Sequence, residues 1–317
     1  MLQQVDNLLG LQPDEVFCDC TLGGGGHSAY LGRRLSKDGL LIGIDRDPEA
    51  IQAAARRLDS DLPTLPKNII NGNFADLDDL LLNLALPGVD AFLFDLGLSS
   101  HQIDSQDRGF SYATEAPLDM RADPGTQTIS AAEVINTTNE SDLAWILATY
   151  GEERWAARIA RAIVARRGIR AFTDTADLAE TIRQAIPAAT RRTGGHPAKR
   201  SFQALRIAVN GELDALESGL DAALRWLLPG GRIVVISYQS LEDRIVKQVF
   251  SEARQGCICP PDVLVCQCGH QSVFESLTRK PITPAGEEST RNPRSARAKL
   301  RALRKLDGKA EQPAEAV

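Results

Sequence analysis

The run Gly23-Gly24-Gly25-Gly26-His27 could hold a ligand against bare main chain, because glycine leaves backbone N–H groups open to close approach. Gly24-Gly25-Gly26-His27-Ser28-Ala29 fits the G-x-G-x-x-G/A pattern, and Asp45 ends the next apolar run at a spacing suited to binding ribose hydroxyls. A dinucleotide and S-adenosylmethionine can both use this layout; the plain alternative is a structural glycine turn. Downstream residues favour S-adenosylmethionine. Phe74 follows a third apolar run, where its ring either stacks on an adenine or fills an ordinary core position. Asp95 ends a fourth run and opens Asp95-Leu96-Gly97-Leu98-Ser99-Ser100-His101-Gln102. An acid and hydroxyls at that edge suit an exocyclic amine awaiting a methyl group, whereas no proton relay of the kind a nicotinamide enzyme needs is evident. Leu228-Pro229-Gly230-Gly231 before a hydrophobic strand agrees with a methyltransferase.

Alternating strands and helices must position these residues. Strands are expected at Val16–Cys20, Leu40–Ile44, Lys67–Asn71, Val89–Asp95 and Arg232–Tyr238, with helices between them. Asp47-Pro48-Glu49 opens one helix with an acidic cap and proline at its first position. This alternation implies an α/β fold with a parallel, doubly wound sheet. From Leu96 to Pro124 the pattern gives way to an ordered functional loop, and from Ser130 to Pro187 only helical periodicity appears, which reads as an inserted all-helical domain. One long helix is expected from Ser201 to Leu228, and Ser240-Leu241-Glu242-Asp243 resembles a capping box. The expected division is 1–103 and 200–306 for the α/β domain, 104–199 for the loop and helical insertion, and 307–317 for a disordered tail.

The net charge of −6 excludes indiscriminate coating of nucleic acid, but its distribution is uneven. Glu152–Arg206 holds twelve Lys/Arg against five Asp/Glu, and Arg279–Lys305 nine against two. Such segments are either solvated helical faces or surfaces that meet a polyanion. Arg154, Arg158, Arg161, Arg166 and Arg167, and Arg291, Arg294, Arg297, Lys299 and Arg301, are the candidates for phosphate contact. Aromatic residues make up 5% of the chain, too few for a broad stacking platform, so a target base is expected to be turned into the pocket. No apolar run long enough to span a bilayer and no signal-peptide pattern stands in the sequence, which favours a cytoplasmic protein. Cys257-Ile258-Cys259 and Cys266-Gln267-Cys268 are paired C-x-C units that hold a structural zinc, remain free buried thiols or act as redox pairs. Cys18 and Cys20 alternate on the first strand as core residues, and the catalytic site itself is expected to need no metal.

Several segments carry a family resemblance: Gly24–Ser28, Gly43–Pro48, Asp95–Ser100, Asp107–Ser111, Pro117–Arg121, Tyr150–Arg154, Arg200–Arg206, Ser240–Lys247 and Asn292–Ser295. In this order they resemble the bacterial ribosomal RNA small-subunit methyltransferase H family, also called MraW. The resemblance implies a Rossmann-like class I methyltransferase sheet with a helical insertion. The implied reaction moves a methyl group from S-adenosylmethionine to the N4 amine of a decoding-region cytidine in 16S rRNA. On this chain the family's cofactor contacts fall on Gly25, Gly26, His27, Asp45, Phe74, Asp95 and Gln102. Asp95, Ser99 and Ser100 are the candidates for holding the amine, with the Asp107–Arg121 loop enclosing the base. The partner implied is 16S rRNA, within the small subunit, with neither membrane nor DNA expected. The family's usual segment with His, Pro, Val and Leu ahead of the first helix is not seen, a difference expected to weaken one wall of the site. Two rivals stand beside this function: a DNA amino-methyltransferase, and a noncatalytic RNA-binding assembly factor on the same fold.

Overall fold

The computed structural model describes residues 1–97, 107–188, 196–257, 259, 260, 263, 265, 267, 268, 270–286 and 292–307. The chain forms two compact units, Met1–Gly97 with Asp214–Val317, and Leu98–Leu213.

The first unit is built on a seven-stranded sheet. Its strands are β1 (Val16–Asp19), β2 (Leu40–Asp45), β3 (Lys67–Asn71), β4 (Val89–Asp95), β5 (Leu227–Ser237), β6 (Phe274–Ser276) and β7 (Lys299–Lys305), in the order β3-β2-β1-β4-β5-β7-β6. The first five run parallel, as the alternation predicts, while β7 pairs antiparallel with both β5 and β6. That antiparallel edge departs from the wholly parallel sheet expected. In β7 the alternation of Leu300 and Ala302 with Lys299 and Arg301 is hidden by the charge of the segment. Successive residues of the central strands feed opposite faces, as the pleat requires. Cys18, Ile42, Phe92, Phe94, Ile233 and Val235 enter one core. Phe17, Leu41, Ala91, Leu93, Val234 and Ile236 enter the other. Burial on both faces explains why these strands read as nearly continuous apolar runs.

Helices in the N-terminal part of this unit are α1 (Leu2–Leu9), α2 (Gly26–Leu31), α3 (Pro48–Asp61) and α4 (Leu77–Leu82). Asp47 caps α3 by accepting from Glu49 N at 3.0 Å, with Pro48 at the first helical position. The helix α1, which the sequence did not announce, buries Val5 and Leu9 against the second core. Strand β5 begins earlier than expected. Leu227 pairs with Val89 and Arg232 with Ala91, so Pro229-Gly230-Gly231 forms an irregularity inside the strand rather than a turn before it.

In the second unit, α5 (Ala131–Thr137), α6 (Glu140–Gly151), α7 (Ala156–Arg167), α8 (Thr175–Ala185) and α9 (Lys199–Asn210) surround one core that includes Leu143, Leu147, Ile159, Ile163, Phe172, Leu178, Ile182, Phe202 and Leu205. The single helix expected from Ser201 to Leu228 is two helices, α9 and α10 (Glu212–Trp226). Gly211 separates them with φ of 57°, a left-handed conformation that ends a helix at little cost to glycine. Because α9 gives Phe202, Ala204 and Leu205 to the helical core, the units meet the chain at 97/98 and 213/214 rather than at 103/104 and 199/200. Residues 308–317, expected to be disordered, lie outside the described residues. No helix among the described residues is long and apolar enough to cross a membrane.

Candidate active site

Strand order reverses direction between β1 and β4, and in open α/β sheets the crevice beyond the carboxyl ends at such a point receives ligands. Thr21, just past β1, accepts a hydrogen bond at its Oγ1 from Asp95 N at 2.6 Å, which ties the end of β4 to the start of the glycine turn. The turn is shaped by Gly23 and Gly25, with φ of 51° and 72°. Gly25 N donates to Leu22 O at 2.8 Å, and the next residue begins α2. A Cβ on Gly25 would press on Ala54 of α3 at 3.3 Å, whereas one on Gly24 would meet nothing within 4 Å. Gly24 is therefore the glycine whose bare face opens outward, and Gly25 permits close packing of turn on helix.

Asp45, at the end of β2, braces the turn. Its Oδ2 accepts from Gly23 N at 2.8 Å and its Oδ1 from Asp47 N at 2.9 Å. Burial raises its pKa, against the pull of these two N–H donors. An ionised carboxylate has about four lone-pair sites, so capacity for two ribose hydroxyls is left.

His27 and Asp95 are brought together: Nδ1 lies 3.2 Å from Asp95 Oδ2. The other carboxylate oxygen, Oδ1, accepts from the Tyr238 hydroxyl at 2.8 Å. Burial presses the His27 pKa down, but the hydrogen bond and charge of Asp95 outweigh it, and the net direction is upward. Among the described residues, the buried Nε2 of His27 has no hydrogen-bond partner. An orphaned polar atom beside an open glycine is what a polar ligand would complete.

Two contributors escaped the sequence reasoning. Asp19, at the end of β1, is buried and accepts from Ser28 Oγ at 2.6 Å and Thr21 N at 3.1 Å. Burial pushes its pKa up to about 6. Tyr238 follows β5, and its N–H is held by Glu242 Oε2 at 2.8 Å. Glu242 also accepts from Gln239 N at 3.1 Å, so α11 (Ser240–Ala253) is capped from Gln239, one residue before the Ser240 box expected. A strained pKa could have marked Asp19 only once its burial was known; for Tyr238, its position at a strand end was a usable signal.

Phe74 stands in a short helical turn after β3, edge-on to Phe94 with ring centroids 5.6 Å apart. It packs on the core yet stays partly exposed, so the core role and a face for a ligand coexist. Gly26 opens α2. Ser99, Ser100 and Gln102 lie outside the described residues. Within the second unit, the Asp107–Arg121 segment is tied by Arg108 to the carbonyls of Arg121 and Ala122 and by the Arg121–Asp119 ion pair.

The basic candidates divide. Lys299 and Arg301 both engage Asp243, at 2.8 and 2.7 Å, and Arg166 pairs with Asp177, while Arg167 donates to Ile135 O. These side chains serve the fold instead of forming an open cationic surface. Arg154, Arg158 and Arg161 remain exposed along α7 and its entry. Arg291 and the Arg294 side chain lie outside what is described.

Residues 1–306 match the MraW methylase family. The chain is 50% identical over 309 residues to "Ribosomal RNA small subunit methyltransferase H" of Heliobacterium modesticaldum, covering 96% of this chain and 97% of the relative. It is 50% identical over 308 residues to the protein of the same name from Symbiobacterium thermophilum, covering 96% and 95%. With the Brevibacillus brevis protein of that name identity is 47% over 298 residues, covering 94% of each.

Proposed function

The chain belongs to the MraW methylase family and uses S-adenosylmethionine, and we propose that it methylates the exocyclic N4 amine of a cytidine in the decoding region of 16S rRNA. The observation that carries the proposal is the carboxylate of Asp95, held between His27 and Tyr238 at the strand end beside the glycine turn. The name shared by the relatives supports ribosomal RNA as the substrate.

When bound, S-adenosylmethionine supplies an already activated sulfonium methyl group. The protein's work is then to align a weak nucleophile and polarise it, because the cytosine amine shares its lone pair with the ring. Gly24 and Gly26 leave the main chain open to the methionine end of the cofactor, with Gly25 packing the turn beneath them on α3, Asp45 accepts its ribose hydroxyls, and Phe74 offers a ring face to the adenine. His27 offers its buried Nε2 to a polar group of the cofactor. Asp95, fixed in direction by its two partners, accepts a hydrogen bond from the target amine and stabilises the positive charge that develops on it. Ser99 and Ser100 orient that amine, and Gln102 holds the cofactor's polar edge. The base leaves its stack to reach the strand-end carboxylate. Exposed Arg154, Arg158 and Arg161 meet phosphates of the rRNA within the small subunit, in the cytoplasm.

Incubation with small ribosomal subunits lacking the modification, followed by nucleoside mass spectrometry, tests this function. N4-methylcytidine is expected in the decoding region. Methylation of another base, or of DNA in preference, would overturn the specificity, and cofactor binding without transfer to any nucleic acid would favour an assembly factor.

A further inference from the structure

The C-x-C units stand outside the site proposed for methyl transfer, yet the fold brings the thiols of Cys257, Cys259 and Cys268 together. Sγ of Cys257 and Cys268 lie 3.8 Å apart, and the ligand atoms of Cys257, Cys259 and Cys268 all fall within 4.8 Å of one another. A tetrahedral zinc with Zn–S bonds of about 2.3 Å sets its sulfurs about 3.8 Å apart. The Cys257–Cys268 separation is already that edge length, and Cys259 needs only a small adjustment to complete a triangular face. Gln267 N donates to Cys259 Sγ at 3.5 Å, an interaction that strengthens when the sulfur is a thiolate.

The surroundings call for a cross-link. Between α11, which ends at Ala253, and β6, which begins at Phe274, no helix or strand occurs among the described residues. Val263 and Val265 are 38% and 73% exposed, so apolar burial does little to order this excursion. Its base is closed by Ser272 Oγ donating to Ala253 O at 3.3 Å, and Gln255 Nε2 donates to Cys257 O at 2.7 Å. A segment with so little core is the kind that small folds hold with a metal. We propose that Cys257, Cys259 and Cys268 bind a structural zinc ion that pins the excursion between α11 and β6. Each thiol releases its proton to solvent on binding, and the borderline-soft ion is matched by sulfur donors. Cys266 lies outside the described residues.

The full chain, purified reduced and without chelator, is the sample. Metal analysis is expected to give about one zinc per chain, falling at least tenfold in the combined variant Cys257→Ser, Cys259→Ser, Cys268→Ser. In the unaltered protein, alkylation of the cysteines should accelerate at least tenfold when a strong chelator is added, a readout that does not depend on the variant folding. A chain that binds no zinc and alkylates equally fast with and without chelator would overturn the proposal. So would a Cys257–Cys268 disulfide as the predominant form after purification under reducing conditions, or full zinc retention by the triple variant.

Discussion

Replacing Asp19 by asparagine should make the protein more stable at neutral pH while weakening its grip on the cofactor. Asp19 is 1% exposed, and burial lifts its pKa from 3.8 to about 6, with the His27 charge and the donors Ser28 and Thr21 pulling the other way and Asp95 adding to the rise. A rise of roughly 2 units corresponds to about 3 kcal/mol, at about 1.4 kcal/mol per unit. The folded state holds the proton more tightly than the unfolded chain does. The contribution to stability is therefore fully present below the unfolded value near pH 4 and is lost as pH rises through about 6. Asparagine can keep both hydrogen bonds, its oxygen facing Thr21 N and its amide facing the Ser28 hydroxyl, with no charge to desolvate.

Urea unfolding of the parent and Asp19→Asn proteins from pH 4 to pH 8 measures the effect. The variant should gain nothing near pH 4 and up to about 3 kcal/mol at pH 7.5, the gap opening across the window where Asp19 ionises. A gap that does not change with pH, or a variant less stable at pH 7 beside a parent with the same pH slope, would refute the account. Calorimetric titration with S-adenosylmethionine supplies the second arm. A charged group kept at such a cost makes sense if a cationic ligand uses it, so affinity at pH 7 should fall by about tenfold or more in the variant.

Asp95→Asn should lower methyl transfer by about a hundredfold, the usual scale for losing one preorganised electrostatic partner. It should also lower the His27 pKa, since Asp95 is the main group that raises it, ahead of Asp19; transfer of labelled methyl and an NMR titration of His27 check both, and full transfer with unchanged cofactor affinity would discard the role. Gly219→Ala would place a Cβ 2.7 Å from Phe74 Cδ2 and 2.9 Å from Phe74 O, displacing the ring proposed to face the adenine. The cost should be about 1–3 kcal/mol, visible as a lower melting temperature together with weaker cofactor binding. In the second unit, Asn210 accepts from Ala122 N at 2.9 Å and donates to Met120 O at 2.8 Å. Asn210→Ala should cost about 2–3 kcal/mol by orphaning these groups, and hydrogen exchange should speed up at Ala122.

The parts of the site visible in the sequence are those that punctuate an apolar run: the glycines after β1, Asp45 after β2, Phe74 after β3 and Asp95 after β4. Local pattern is enough there because a buried parallel strand must be apolar and its carboxyl end is where polarity returns. The partners that set the electrostatics were harder to see. Tyr238 reaches Asp95 across 143 residues, a pairing fixed by the neighbouring positions of β4 and β5 rather than by local spacing. Asp19 sat in plain view beside the glycines, but its altered acidity depends on burial. At the chain's basic end, counting charges obscured a strand: Arg301 and Lys299 both converge on Asp243, whose pKa falls because these cations overcome the effect of burial.

Three consecutive parallel strands in the spatial order β2-β1-β4 end in acids, and the structure puts each acid in a different electrostatic condition. Asp45 is half-buried and answered by two main-chain donors, Asp95 is held between His27 and Tyr238, and Asp19 is fully buried with its pKa pushed up to about 6. Folding alone would favour neutral side chains at such positions, because a buried carboxylate without a full set of partners costs stability. On the proposed reading, the cofactor's sulfonium and ammonium groups are the positive charges that Asp19 and Asp95 would answer, while Asp45 takes the ribose hydroxyls. The glycine turn brings backbone close, but on that reading selectivity for a cationic cofactor over an anionic dinucleotide would come from Asp19 and Asp95: a pyrophosphate placed beside them would meet repulsion where a sulfonium meets attraction. On the proposed reading, methyl-donor preference would lie in the strand ends as much as in the glycines, and it should weaken as pH falls through about 6, where Asp19 takes up its proton.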